Sequence, residues 1–265
     1  MPATSLVSGA SAGIGAAFAR ALAAKGHDLI LVARRTDRLE TLAADLRERH
    51  DISVTVLPAD LSQPGAAAAL VDQIAARGLQ VDWLINNAGY GVSGSFHAHD
   101  WATHADFLRV MVEVPTELIS RLLPAMRARG FGRIVNVASL AGLVPAPAGN
   151  TLYPASKAYL IKLSEALANE NRDKGVHVTA LCPGFTWSEF HDVLGTRGLM
   201  DKMPKWVWQT AEAVAAEGIA AVEAGRAVHV PGPANRAIKL LVKLLPDPLA
   251  RRLSARQGKR YRKSA

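Results

Sequence analysis

The sequence alternates short apolar segments with longer segments of helical pattern along most of its 265 residues. Seven short segments have strand character, namely Thr4–Ser8, Asp28–Ala33, Ile52–Leu57, Asp82–Asn86, Arg133–Ala138, Val176–Cys182 and Ala227–Val230. Helical patterns of about ten or more residues separate them, which is the spacing of parallel strands joined by right-handed crossovers. Strands that are apolar on both faces belong inside a sheet covered on both sides. We therefore predict an α/β fold with a doubly wound parallel sheet in a three-layer α/β/α arrangement.

The predicted helices are segments in which apolar residues recur every three or four positions. They are Gly13–Lys25, Thr36–His50, Pro64–Arg77, roughly Trp101–Arg129, Thr151–Lys174 and Thr210–Ala224. No linker, repeat or low-complexity stretch divides the chain. We predict one domain over residues 1–232 and a basic amphipathic C-terminal extension over residues 233–265.

The formal net charge of +8 is concentrated at the C-terminus. Residues 1–225 carry 20 Lys/Arg and 22 Asp/Glu, whereas residues 226–265 carry 11 Lys/Arg and a single acid, Asp247. A basic tail without a nucleic-acid-binding motif does not predict DNA or RNA binding. One cysteine, Cys182, excludes an intramolecular disulfide, and the N-terminus lacks the pattern of a secretory signal. We therefore expect a soluble, cytoplasmic protein.

A glycine-rich turn, Ser8-Gly9-Ala10-Ser11-Ala12-Gly13-Ile14-Gly15, joins the first predicted strand to the first helix. Glycine permits positive φ and lets the backbone approach a pyrophosphate closely. Free N–H groups at the start of the helix, together with the helix dipole, favour a bound anion. The spacing differs from G-x-G-x-x-G, and the same glycines could serve a purely structural turn. By itself the turn is consistent with either role.

Four further elements follow this turn in a fixed order. Asp60-Leu61 follows the third strand, Asn86-Asn87-Ala88-Gly89 ends the fourth, Ser139 and Tyr153-Pro154-Ala155-Ser156-Lys157 follow the fifth, and Pro183-Gly184 ends the sixth. In this combination the sequence resembles the short-chain dehydrogenase/reductase family over about residues 4–232. The resemblance implies a Rossmann fold, a nicotinamide cofactor and hydride transfer. It also implies a homodimer or homotetramer built on the long helices around Trp101–Arg129 and Thr151–Lys174.

Tyr153 and Lys157 are four residues apart, so a helix places them on one face. A phenol normally titrates near ~10, and a neighbouring ammonium group favours its deprotonated form. The resemblance implies that Tyr153 donates a proton to the carbonyl oxygen, or acts as the base in the alcohol direction. It also implies that Lys157 tunes Tyr153 and holds the nicotinamide ribose, while Ser139 hydrogen-bonds the substrate oxygen. An exposed Tyr and Lys at this spacing are common in any protein, but the accompanying motifs favour catalysis.

One position departs from the family pattern. Members usually carry an Asn in the long helix before the fifth strand, and no Asn occurs between Asn87 and Asn136. Met111 stands at the corresponding position, where its backbone carbonyl could still hold a relay water. Glu113 is either a local substitute or simply an exposed or interface carboxylate. The departure concerns proton relay and turnover rate more than reaction type.

Arg34 and Arg35 follow the second strand, where an acidic residue would bind the adenosine ribose of NAD(H). Two guanidinium groups suit bidentate recognition of a 2′-phosphate, although they are also compatible with solvated charges at the start of a helix. We therefore predict NADP(H), with NAD(H) less favoured. With the positions that the resemblance implies, the predicted cofactor-binding residues are Gly9, Ser11, Gly13, Ile14, Gly15, Arg34, Arg35, Asp60, Leu61, Asn87, Ala88, Gly89, Tyr153, Lys157, Pro183, Gly184, Thr186 and Ser188.

The segment after the sixth strand is rich in large apolar residues, namely Trp187, Phe190, Leu194, Leu199, Met200, Met203, Trp206, Val207 and Trp208. Such a segment is typical of a mobile lid over a lipophilic substrate, and equally of ordinary packing. His97, His99 and His104 lack the spacing of zinc ligands, so we expect solvated loop histidines and no metal site. Cys182 is expected to pack inertly in the core.

The C-terminal extension contains an apolar stripe with basic residues beside it. The stripe consists of Ile238, Leu241, Val242, Leu245 and Leu249, and the adjacent cations are Lys239 and Lys243. Such a stripe most often packs against its own domain or a partner subunit. Peripheral docking on an anionic membrane surface is the less favoured alternative.

Together these features predict an NADP(H)-dependent oxidoreductase that acts on a carbonyl or secondary alcohol carbon of a lipophilic small molecule. The alternative is an NADPH-binding, redox-sensing protein with weak or no catalysis, which Met111 keeps open.

Overall fold

The computed structural model describes residues 2–187, 189, 205–246, 248–250 and 252. The strands are β1 (Thr4–Ser8), β2 (Asp28–Ala33), β3 (Val54–Pro58), β4 (Trp83–Asn86), β5 (Gly132–Val137), β6 (Val176–Leu181), β7 (Thr186–Trp187), β8 (Gln209–Thr210) and β9 (Val228–His229). The helices are α1 (Gly13–Ala23), α2 (Thr36–Arg49), α3 (Ala66–Ala76), α4 (Trp101–Leu108), α5 (Val114–Arg129), α6 (Leu152–Glu170), α7 (Ala211–Glu223) and α8 (Pro233–Leu244).

Seven strands form one sheet in the order β3-β2-β1-β4-β5-β6-β9, and all of their pairings are parallel. The strand order reverses beside β1, which pairs with β2 on one side and with β4 on the other. In such sheets ligands bind outside the carboxyl ends of the strands at the reversal point. The predicted doubly wound fold is confirmed, and it places the ends of β1, β2 and β4 at a natural binding edge.

Helices cover both faces of the sheet. On one face, α1, α2 and α7 contribute a buried cluster that includes Phe18, Leu39 and Val214. On the other face, α3 and α5 contribute a second cluster that includes Leu70 and Leu118. The strands between them supply aliphatic residues to both clusters, which explains why their sequences are continuously apolar.

The long helix predicted over Trp101–Arg129 is continuous in the chain but not uniformly α-helical. A π-helical turn over Arg109–Glu113 lies between α4 and α5. Such turns insert an extra residue into a helix and often occur at functional sites. Here the turn buries both Val110 and Met111. The short pairing of β7 with β8 was also not predicted, because two-residue strands leave no periodic pattern.

No described helix is both long enough and apolar enough to cross a bilayer. Helix α8 follows β9 after Gly232, and only Asn235 of its residues is buried.

Candidate active site

The glycine turn packs directly against the segment that follows β4. A side-chain Cβ at Gly15 would lie 2.3 Å from the Gly9 carbonyl oxygen and 2.5 Å from Asn87 Nδ2. Asn87 Nδ2 donates to the carbonyl oxygens of Ser8 and Gly9, at 3.0 and 3.2 Å. The turn therefore requires glycine at Gly15 for steric reasons, and Asn87 holds the carboxyl ends of β1 and β4 together.

Ser8 makes a second connection between the same two strands. Its hydroxyl oxygen accepts the backbone N–H groups of Asn87 and Ala88 at 3.0 and 3.1 Å, and the hydroxyl donates to the Ile85 carbonyl oxygen at 3.2 Å. The hydroxyl is thus fully engaged within the protein. Sequence reasoning did not assign this role, because the pairing of β1 with β4 spans nearly 80 residues of chain.

The start of α1 offers unengaged backbone donors. Its N-cap residue, Ala12, provides no side-chain hydrogen bond, and the first turn contains no acidic residue. The N–H groups at this end therefore have no side-chain cap, and they lie at the positive end of the helix dipole. This arrangement suits an anion such as the pyrophosphate of a dinucleotide, which is the role predicted for Gly13, Ile14 and Gly15.

Arginines from the start of α2 lie beside this turn. Arg35 donates to Ser11 Oγ through Nε and Nη2, at 3.2 and 3.0 Å, which joins two of the predicted cofactor residues. Arg35 and Arg38 both pair with the Glu189 carboxylate, at 2.8 and 2.5 Å. Hydrogen bonds from Arg35 and Arg38 lower the pKa of Glu189 below its ordinary value. The structure thus shows that this cationic cluster already binds one anionic group.

Arg38 was not predicted as a site residue. It follows Arg35 by three positions on α2, so the helix turns it towards the same point. The spacing of three residues could have indicated that Arg38 lies beside Arg35. However, a charged residue on an amphipathic helix is ordinarily exposed to solvent without a specific partner.

Asp60 and Leu61 lie beyond β3. Ser62 donates its backbone N–H and its hydroxyl to Asp60 Oδ1 at 3.0 and 2.8 Å. These hydrogen bonds, with the nearby charge of Arg34, lower the pKa of the Asp60 carboxyl group. Leu61 is 5% exposed and packs in the core, so its backbone rather than its side chain is available to an adenine ring.

Tyr153 and Lys157 lie in the first two turns of α6, on one face of the helix. Lys157 Nζ is 5.6 Å from the centroid of the Tyr153 ring. The ammonium group also donates to the Val137 carbonyl oxygen at 2.7 Å, at the carboxyl end of β5. Tyr153 is half-buried, whereas Lys157 is 6% exposed. The predicted pair is therefore assembled at the same sheet edge as the glycine turn.

Ser139, just beyond β5, lies close to the Pro183-Gly184 segment that follows β6. Ser139 Oγ accepts the Ala141 N–H at 3.1 Å and makes only a long contact, 3.5 Å, with the Pro183 carbonyl oxygen. Thr186 is buried, and its hydroxyl donates to the Gly184 carbonyl oxygen at 3.3 Å. Ser188, the last predicted cofactor residue, lies outside the described residues.

Burial shifts the pKa values of two neighbouring groups in opposite directions. Removal from water lowers the pKa of the Lys157 ammonium group from 10.5 to about 8. Removal from water also raises the pKa of the Cys182 thiol from 9.0 to about 12. Cys182 follows β6 and is fully buried, which confirms its predicted packing and leaves it protonated at neutral pH.

These two groups should make protein stability depend on pH with opposite slopes. Above pH 8 the folded protein releases the Lys157 proton before the unfolded chain does, so stability rises with pH until about pH 10.5. Above pH 9 the unfolded chain loses the Cys182 proton that the folded protein retains, so stability falls. We expect Cys182→Ala to gain about 1.4 kcal/mol per pH unit relative to wild type above that pH. Urea unfolding across the alkaline range measures this difference, and a pH-independent difference would contradict it.

The sequence model of the short chain dehydrogenase family matches residues 3–196. The chain belongs to the short-chain dehydrogenase family. Nodulation protein G from Rhizobium sp. (strain N33) is 36% identical over 236 residues, covering 86% of this chain and 94% of that protein. The chain is therefore an oxidoreductase of this family.

Two solved structures are similar over almost the whole chain. One, from a study of 7beta-hydroxysteroid dehydrogenase stereoselectivity, has a TM-score of 0.85 and 25% identity, covering 95% of this chain and 96% of that chain. The other is a short-chain dehydrogenase from Sphingobium yanoikuyae in complex with NADPH, with a TM-score of 0.78 and 30% identity, covering 93% of this chain and 97% of that chain. The similarity extends beyond the segment that the family model matches.

Met111 occupies the position at which an Asn is expected in this short-chain dehydrogenase. It is 1% exposed, and its Sδ would lie 2.9 Å from a Cβ placed at Gly89. Met111 also lines a cavity of about 10 Å³ with Lys157 and Asn86, a size that accommodates about one water molecule. Asn86 Oδ1 is buried without a partner among the described residues. Glu113 is exposed, as expected for an ordinary surface carboxylate.

A buried amide network supports this cavity and was not predicted. Asn86 Nδ2 donates to Asn136 Oδ1 at 2.8 Å, and Asn136 Nδ2 donates to Ser164 Oγ at 2.9 Å. The network joins β4 and β5 to α6, which carries Tyr153 and Lys157. Each residue is individually unremarkable in the sequence, because the strand register and the packing of α6 bring them together.

The expectation of solvated loop histidines is wrong for His104. This residue lies on α4 and is 6% exposed, and its ring stacks on Phe96 at 4.4 Å. His99 is partly buried against the Ser93 carbonyl oxygen, whereas His97 is exposed. Tertiary packing of the segment before α4 buries a residue that sequence polarity places at the surface. No group of three possible metal ligands occurs among the described residues.

The apolar segment after β6 is only partly described, because Phe190, Leu194, Leu199, Met200 and Met203 lie outside the described residues. At its two ends, Trp187 and Trp208 stack with ring centroids 4.1 Å apart. Val207 is buried, but Trp206 is 69% exposed. Ordinary packing therefore accounts for part of this segment, and Trp206 remains available for a ligand or another surface.

Proposed function

We propose that this protein is an NADP(H)-dependent oxidoreductase that transfers a hydride between the nicotinamide and a carbonyl or secondary alcohol carbon. The observation that carries the proposal is the placement of Tyr153 and Lys157. Their side chains lie on one face of α6, with Lys157 Nζ 5.6 Å from the Tyr153 ring. That face lies at the carboxyl edge of the sheet, where the glycine turn also ends.

The residues at this edge fit a dinucleotide phosphate. The start of α1 presents uncapped backbone donors, and Asn87 and Gly15 keep the glycine turn close to the end of β4. Arg35 and Arg38 already bind a carboxylate, so they can bind the 2′-phosphate of NADP(H) in the same way. The NADPH complex of the Sphingobium enzyme supports the same cofactor. When bound, the cofactor supplies or accepts the hydride.

The protein's own residues handle the proton and the developing charge. The Tyr153 hydroxyl donates a proton to the carbonyl oxygen in the reductive direction and accepts it in the oxidative direction. Ser139 can redirect its hydroxyl hydrogen to the substrate oxygen, because its contact with the Pro183 carbonyl is long, at 3.5 Å. Two donors then stabilise the negative charge that forms on that oxygen.

Lys157 performs two tasks from a fixed position. The Val137 carbonyl oxygen orients its ammonium group at 2.7 Å and leaves two N–H donors for the Tyr153 side and the cofactor ribose. The cavity shared by Lys157, Asn86 and Met111 provides a place for a relay water. In this arrangement the Asn86 amide oxygen can accept a hydrogen bond from that water, although the cavity is also lined by the apolar Met111.

The surroundings of Tyr153 favour a lipophilic substrate. Phe96, Phe107 and Leu152 line a recess that includes Tyr153, and the stacked Trp187 and Trp208 lie beyond β6. The similarity to 7beta-hydroxysteroid dehydrogenase is consistent with a bulky apolar substrate. We also propose a homodimer or homotetramer assembled through the helices that contain α5 and α6.

The proposed activity is tested by following the absorbance of NADPH with a panel of aliphatic, aromatic and steroid ketones. Turnover of a bulky apolar ketone is the expected result. Tight NADPH binding without turnover of any carbonyl or alcohol would instead support the redox-sensing alternative that Met111 leaves open. Absence of NADPH binding would contradict both functions.

Cofactor preference provides a sharper test. We expect Arg35→Ala and Arg38→Ala each to raise KM for NADPH about 10- to 100-fold, because each removes a charge-assisted hydrogen bond to the 2′-phosphate. KM for NADH, which lacks that phosphate, should stay within about twofold. Steady-state kinetics with both cofactors measure the difference.

Arg49→Ala is the matched control, since Arg49 lies at the other end of α2 and pairs with Asp45. It should leave both Michaelis constants unchanged. Equal loss of affinity for NADPH and NADH in the Arg35 and Arg38 variants would show that these residues do not recognise the phosphate.

A further inference from the structure

Helix α8 exposes large apolar side chains that the described part of the domain does not cover. Leu240, Leu241 and Leu244 are 57%, 60% and 73% exposed, respectively. Leu249, just beyond the helix, is 45% exposed. Contiguous exposed leucines on a surface helix are uncommon in soluble domains and usually mark an interaction surface. Of the apolar stripe that the sequence predicts, Ile238, Val242 and Leu245 are partly buried, whereas Leu241 and Leu249 face outward.

The exposed leucines occupy one sector of the helix. With about 100° between successive residues, Leu240, Leu241 and Leu244 fall within a sector of roughly 100° opposite the buried Asn235. Arg236, Lys239 and Lys243 lie together along one flank of the helix by the same spacing. The helix therefore presents an apolar outer face, bordered by cations.

The charge around this face has a single sign. No acidic residue occurs between Glu223 and Asp247, and residues 226–265 contain 11 Lys/Arg and only that one Asp. Arg236 is partly neutralised by Glu217 at 3.2 Å. Within the described residues, Lys239 and Lys243 form no ion pair. Any surface that covers the leucines must therefore accept several positive charges.

We propose that α8 forms a docking surface for an anionic lipid bilayer. The leucines would enter the boundary between headgroups and acyl chains, and the flanking cations would contact lipid phosphates. A helix of twelve residues spans only about 18 Å, so it lies along the interface rather than across the membrane. A second copy of this chain is disfavoured as the occupant, because pairing two α8 helices through their leucines would bring the flanking lysines of both copies together.

The test is co-sedimentation of the full-length protein with vesicles of phosphatidylcholine, alone or mixed with phosphatidylglycerol. We expect binding to the mixed vesicles only. The Lys239→Gln/Lys243→Gln variant should lower the partition coefficient about 30-fold, since each cation near an anionic surface contributes about fivefold. The Leu240→Ser/Leu241→Ser/Leu244→Ser variant should abolish binding. Lys162→Gln/Lys174→Gln, which removes two exposed cations from other elements, should bind like wild type.

Thermal unfolding and NADPH turnover in lipid-free buffer verify that each variant folds, since none of these residues belongs to the proposed active site. Failure of the wild-type protein to bind anionic vesicles would overturn the proposal. So would equal binding by the leucine variant. A leucine variant that changes the oligomeric state without lipid would show that α8 is an interface between copies, which also overturns it. None of these outcomes depends on the proposed oxidoreductase activity.

Discussion

Tyr153→Phe is expected to lower kcat for ketone reduction by about 10²- to 10⁴-fold, which is the usual contribution of a positioned general acid. The substitution removes only the hydroxyl oxygen, so the aromatic ring still occupies its place beside Lys157. The dissociation constant for NADPH should stay within about twofold, because the phosphate-binding residues lie elsewhere, at α1 and α2. Steady-state kinetics and fluorescence titration with NADPH measure the two quantities separately.

Tyr159→Phe is the control for this prediction. Tyr159 lies on the same helix, is 39% exposed, and its hydroxyl is 3.0 Å from Thr116 Oγ1 rather than near Lys157. This variant should keep nearly full activity. If Tyr153→Phe retains more than about a tenth of the wild-type kcat, the proton comes from another group and the assignment of Tyr153 is wrong.

Lys157→Met is expected to change activity and stability in opposite directions. Loss of the ammonium group should lower kcat/KM by at least about 100-fold, because Tyr153 loses its cationic neighbour. At pH 7 the buried ammonium costs the folded protein about 3 kcal/mol, which is the free-energy equivalent of lowering its pKa from 10.5 to about 8. Losing the hydrogen bond to the Val137 carbonyl oxygen offsets about 1–2 kcal/mol of that gain. The variant should therefore be more stable by about 1–2 kcal/mol.

Urea unfolding at pH 7 and steady-state kinetics on the same preparation test both parts of this expectation. Lys162→Met is the control, since Lys162 on α6 is exposed and paired with Glu165. It should alter neither property appreciably. Loss of stability together with loss of activity in Lys157→Met would indicate that Lys157 acts mainly as a structural residue.

Much of the fold was predictable because its strands are apolar on both faces and separated by helical patterns. The limits of β1 and β2 agree with the prediction residue for residue, and most other elements differ only at their ends. Local spacing also placed the Tyr153–Lys157 pair on one helix face and the glycine turn at the end of β1. These features depend on residues close together in the sequence, where backbone geometry alone decides the outcome.

Features that depend on contacts between distant segments were not predicted. The π-helical turn around Met111, the cluster of Arg38 with Glu189 and the buried His104 all depend on packing between different elements. The hydrogen bonds from Asn86 to Asn136 and from Asn136 to Ser164 depend on strand register and on the position of α6. A single polar residue in the sequence does not reveal which distant partner it will meet.

The sequence by itself determined the α/β class and the residues that carry the proposed proton transfer, because periodicity and i, i+4 spacing are local properties. Only the tertiary structure decided that Lys157 is buried, that Arg35 and Arg38 converge on one carboxylate, and that the leucines of α8 face outward. Burial and convergence are properties of the packed chain, since they depend on which surfaces remain in contact with water after the helices and sheet have assembled.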